Sequence, residues 1–125
     1  MALVIRREQR EAFRRAAAEW FVDRALSDLR GRFPAEVLAL GDDAVRSAIR
    51  EGIDRAEASG VEVEIDVIRF IRFMFLLGRR FDDDARYPWI REVMADRWVP
   101  ASVKMLELCR LAERELGPES ALRVR

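Results

Sequence analysis

The sequence predicts an all-α fold, a single compact orthogonal or irregular bundle of five to six helices, on three observations. Apolar residues recur at intervals of three and four through most of the chain, which is helical periodicity. Glycine and proline stand where helices would end and begin. The thirteen residues Ile65–Leu77 contain only three polar ones, Asp66, Arg69 and Arg72, which marks a central apolar helix near 64–78. At 125 residues the chain suits one domain, 1–125, large enough to bury a core.

The first helix is expected from Arg6 to about Gly31. Phe13, Ala17, Trp20, Phe21, Leu26 and Leu29 recur near helical spacing, with Arg10, Arg14, Asp23, Asp28 and Arg30 mostly on the other side. Gly31 and the Phe33-Pro34 step stop it, because proline pushes the preceding residue out of the helical region. Pro34 suits the first position of a short helix closed by Gly41. Asp42 or Asp43 is expected to cap a third helix running to about Ser59, buried along Val45, Ile49, Ile53 and Ala56. Gly52 in its interior marks either a close helix–helix approach or a merely tolerated glycine.

Val61-Glu62-Val63-Glu64-Ile65 alternates like a strand, but a lone strand would have no partner. An extended lead-in, with a helix beginning near Glu64 and ending at Gly78, is the better reading. From Glu64 the polar residues fall at intervals of three, one stripe on an otherwise apolar cylinder, as in a core helix. Residues Arg79 to Arg86 form a polar turn. Pro88 opens a helix to about Arg97, Trp98-Val99-Pro100 breaks it, and a last helix runs to Leu116 with Met105, Leu108, Leu111, Ala112 and Leu116 inward. Gly117-Pro118 is a stop, and residues 118–125 are expected to fray.

Composition narrows the chemistry. The chain has no His, no Asn and no Thr, and Lys104 is its one lysine. Without His, the usual neutral-pH base and the commonest metal ligand are missing, so Ser/His/Asp and Cys/His catalysis are excluded within the chain. Formal charge is zero from 23 basic and 23 acidic residues, which leaves no sustained cationic footprint for nucleic acid. The apolar Ile65–Leu77 run falls short of the ~20 residues needed to cross a bilayer. Met1-Ala2-Leu3-Val4-Ile5 precedes Arg6-Arg7, the reverse of a secretory signal. One cysteine, Cys109, permits no internal disulfide and fits a reducing compartment. A cytoplasmic protein is expected, with Cys109 buried near Met105 and Ala112.

Four groups are candidates for function. Asp82-Asp83-Asp84 could hold Mg²⁺ or Ca²⁺, perhaps with Glu92 or Asp96, but consecutive carboxylates diverge and the EF-hand register is absent. A solvated acidic lead-in is favoured, so no metal or cofactor is assigned. Arg6, Arg7, Arg10, Arg14 and Arg15 form a basic segment interrupted by Glu8 and Glu11, better read as a solvated face than a phosphate contact. Arg69 and Arg72, in so apolar a helix, either pair with carboxylates such as Asp66 or meet a partner. Tyr87, Trp89 and Trp98 either pin a turn onto the core or anchor an interface. Phe70, Phe73 and Phe75 cannot all face one way, so one of them lies against a second surface.

The pattern Ile49-Arg50-Glu51-Gly52-Ile53, Phe70, Phe73 to Gly78, Phe81-Asp82 and Tyr87-Pro88-Trp89, with the opening Ile5-Arg6-Arg7-Glu8-Gln9, resembles a group of small helical bacterial proteins. These are encoded near type VI secretion spike genes, among PAAR-repeat, VgrG and lysozyme-like effector genes. The resemblance covers about two-thirds of the chain, and Val61-Glu62-Val63-Glu64 departs from it. It implies a non-enzymatic protein-binding role, as adaptor or chaperone for an effector or spike component. A neutralising immunity-type partner is the alternative, and a carboxylate-dependent metal-assisted hydrolase a more distant one. The residues assigned to partner binding are Arg69, Arg72, Tyr87, Trp89 and Trp98, with no catalytic residue.

Overall fold

The computed structural model describes residues 7–125, with side chains from residue 14 onward. Among these residues seven α-helices and one 3-10 turn follow in order: α1 Arg7–Arg32, α2 Pro34–Leu40, α3 Asp42–Ala58, α4 Glu64–Leu77, the turn Phe81–Asp83, α5 Pro88–Ala95, α6 Ala101–Leu116 and α7 Pro118–Val124. No strand occurs among the described residues. The helix count exceeds the expected five to six because residues 118–125 do not fray: Ala121 and Val124 of α7 are fully buried.

The helix boundaries follow local chemistry closely. Pro34 and Pro88 occupy first-turn positions, where a missing N–H costs nothing. Gly60 and Gly117 end their helices with φ of 80° and 95°, a left-handed conformation that glycine adopts without strain. Gly31, expected to be a stop, instead lies inside α1, and Phe33-Pro34 alone ends that helix. Neither Asp42 nor Asp43 caps α3. Gly41 holds the cap position without a side-chain bond, and Asp42, already in the first turn, pairs with Arg30 of α1. Val63 is extended and exposed while Val61 is buried, so residues 61–63 form a lead-in rather than a strand.

Packing on α1 corrects the expected stripe. Its core face is Phe21, Val22, Ala25, Leu26 and Leu29, at helical spacing. Trp20 is 57% exposed, with the Arg24 guanidinium over its ring at 4.7 Å, and Ala17 is exposed too. Trp20 lies about 180° around the helix from Leu29, on the side away from the core. Phe13, Arg6, Arg7 and Arg10 fall outside the described side chains. Ion pairs Glu19–Arg50 and Asp23–Arg46 set α1 antiparallel to α3.

Helix α4 packs on α3, α6, α7 and the 3-10 turn. A Cβ built at Gly52 of α3 would stand 2.7 Å from Ile71 Cγ1 and 3.0 Å from Met74 Sδ, so Gly52 does mark a close helix approach. On another side, Phe70 and Phe73 enclose Phe81, with ring centroids 4.9 and 5.5 Å away. Phe75 is the phenylalanine on a second surface: partly buried, it meets Phe33 at 5.9 Å.

Candidate protein-binding surface

The polar stripe of α4 turns inward. Arg72 is only 5% exposed and grips Asp28 of α1 through two hydrogen bonds, Nε to Oδ2 at 2.9 Å and Nη2 to Oδ1 at 2.7 Å. Its Nη1 donates to the Arg125 carbonyl oxygen at 2.6 Å. Burial pushes the Asp28 carboxyl up, but hydrogen bonds and charge from Arg72, then Arg32, outweigh it and hold its pKa below the usual value. Asp66, 3% exposed, sits in the first turn of α4, where the helix N-terminus favours a negative charge. It accepts from Ser102 Oγ at 2.6 Å and from Arg69 Nη1 at 3.5 Å. Arg72 is thus removed from the partner-binding set: its charge is consumed inside the fold. Arg69 is partly buried beside Asp66, its side chain 22% exposed.

The acidic turn diverges in the same way. Asp82 pairs with Arg55 of α3, anchoring the turn that carries Phe81. Asp84 accepts the Arg86 backbone N–H at 2.9 Å and its guanidinium at 2.8 Å, which holds the Asp84 carboxyl below the usual range. Asp83 is exposed. Two of the three carboxylates therefore serve different arginines instead of one ion. Among the described residues no group of three or more His, Cys, Asp or Glu is placed to hold a metal.

The aromatic trio divides. Tyr87 occupies the cap position of α5, and both Tyr87 and Trp89 are partly buried against the core. Trp98 is 93% exposed on the α5–α6 turn, its backbone N–H held by Asp96 Oδ1 at 3.0 Å. Beside it, Val99 and Val103 help line a cleft of about 370 Å³ between α5 and α6. Lys104 of that cleft donates to the Met94 carbonyl at 2.9 Å and closes the C-terminal end of α5. Val103 and Leu106, three residues apart on α6, are exposed as well. Position alone could not separate Trp98 from Trp89. The usable signal is Asp96, two residues before Trp98, whose carboxylate ties the backbone rather than the ring.

Sequence reasoning missed a larger groove of about 660 Å³ between α2, α3 and the end of α4. Leu40, Ala44, Ala48, Met74 and Phe75 form much of its wall, and the Glu51–Arg79 pair stands on its rim. Small residues on the outer face of α3 leave it open, and no spacing rule distinguishes such a face from an ordinary solvated one.

Several residues behind the resemblance to secretion-associated proteins are core residues: Ile49, Gly52, Phe70, Phe73 and Phe81 are all buried. They bear on the fold, not on an activity. No family model, curated protein or solved structure matches this chain.

Proposed function

We propose that this chain is a non-enzymatic accessory protein that binds another protein, as adaptor or chaperone for an effector or spike component of a bacterial type VI secretion system. The observation that carries the reading is Trp98: a large amphipathic ring, almost wholly exposed, on a turn whose backbone is held by Asp96. Exposed tryptophans held on fixed backbone are the residue type that dominates interface energetics. Val103 and Leu106 of α6 add exposed apolar surface to the same α5–α6 region. In this reading α4 is the central helix of an irregular bundle whose interior is structural throughout. The absence of His and the separate pairing of Asp82 and Asp84 favour binding over catalysis. The resemblance supplies the type of partner, and with it a cytoplasmic site of action before export.

Co-expression with effector and spike proteins from the same locus, followed by pull-down, tests it. A stable complex that weakens by at least ~10-fold in Trp98→Ala is expected, as for an interface hot spot. Failure of every locus partner to bind would count against the reading. If a bound effector also loses its toxicity, the immunity-type role takes the place of the adaptor role.

A further inference from the structure

Helix α7, like α2, is at seven residues too short to be helical alone, so docking must supply its order. Only Ala121 and Val124 anchor it apolarly, and Leu122 points to solvent. The remaining hold is polar and spread over four other helices. Arg123 pairs with Glu36 of α2, donates to the Arg32 carbonyl at 3.1 Å and lies 4.2 Å over the Phe33 ring. Arg32 returns a bond to the Leu122 carbonyl at 3.0 Å, Arg72 reaches the Arg125 carbonyl, and Arg125 pairs with Glu113 at 2.7 Å. A single residue, Gly117, joins α7 to α6, and its left-handed backbone is a natural pivot.

When this helix lifts, its ion pairs with Glu36 and Glu113 are exchanged for water, at partly exposed sites where that exchange costs little. Arg72 keeps both of its bonds to Asp28, so no buried charge is left unpaired. The one cysteine would be uncovered: Cys109 Sγ lies 3.7 Å from the Val124 carbonyl oxygen, and the thiol is buried. Burial pushes that thiol's pKa up, against the charges of Arg69, Arg72 and Arg125.

We infer that α7 is a clasp, releasing about Gly117 while α1–α6 stay folded and thereby uncovering Cys109 and the Arg72 end of α4. Local opening of this kind proceeds below the free energy of global unfolding. The inference is independent of any partner, so its failure and that of the protein-binding reading are separate results.

Modification of Cys109 in the full chain by an aromatic disulfide reagent reads the opening directly, because the chain has no other thiol. At low urea the labelling rate should be independent of urea. It should rise several-fold between ~20 mM and ~500 mM salt, which screens partly exposed ion pairs. Arg123→Ala should speed labelling by ~10-fold or more, and Arg123→Gln similarly, while Arg110→Ala, altering only the exposed pair with Glu107, should not. The clasp is overturned if labelling follows the global unfolding constant from the lowest urea upward. It is equally overturned if the Arg123 variants speed labelling only as much as they lower global stability measured by circular dichroism.

Discussion

Two sides of α4 bury what they carry by opposite means. Toward the 3-10 turn, Phe70 and Phe73 close around Phe81, three rings with no polar atom to satisfy. Toward α1, α6 and α7, Asp66 and Arg72 are just as deeply buried, but each depends on a partner from another element. The aromatic side gains from area removed from water and is indifferent to pH and salt. The ionic side recovers a desolvation cost only while its geometry holds, so its stability is conditional and its register specific. One helix thus carries a robust seam and a selective one.

The largest expected effect breaks the robust seam. Phe81→Ala should cost about 3–5 kcal/mol in urea unfolding, with no change in pH dependence, because the loss is a cavity among rings. Asp28→Asn breaks the selective seam by stranding Arg72. About 2–3 kcal/mol is expected, less than for a wholly buried pair because the Asp28 side chain is 21% exposed. Its pH signature separates the two seams. The depressed Asp28 pKa adds stability that is present above the ordinary carboxylate value of about 3.9 and is lost as pH falls through the lowered one. Acid titration of stability should therefore be shallower in Asp28→Asn than in the parent, and unaltered in slope in Phe81→Ala.

Smaller changes sharpen the comparison. Gly52→Ala forces a methyl to within 2.7 Å of Ile71, so a net loss of about 1 kcal/mol by thermal melting is expected despite the better helix propensity of alanine. Trp98→Ala, at an exposed turn, should leave stability within about 0.5 kcal/mol. A larger loss would mean that Trp98 supports the fold and not a partner.

Much of this architecture was legible in the sequence wherever a local rule decides it. Pro34 and Gly41 bracket α2, and Glu64 and Gly78 bracket α4, because proline and glycine act on their own backbone. The α1 face was misread at Trp20, which keeps helical spacing with Ala17 but on the exposed side, away from Val22, Leu26 and Leu29. Helix α7 was missed because Gly117-Pro118 reads as a stop although Pro118 opens a new helix, and its order comes from contacts with distant residues such as Glu36 and Arg72. For the candidate site, the sequence singled out Trp98 but could not separate it from Trp89. It flagged Arg72 as unusual but not its partner, because Asp28 lies 44 residues away and only the fold brings the two together.

A double-mutant cycle on Asp28→Asn and Arg72→Met, followed by urea unfolding at pH 7, tests most directly whether the charges of α4 are spent internally. A coupling of at least ~1 kcal/mol between the two sites is predicted, falling toward zero as pH drops through the lowered Asp28 pKa. Additive single effects within ~0.3–0.5 kcal/mol at pH 7 would contradict the account and return Arg72 to the set of residues available to a partner.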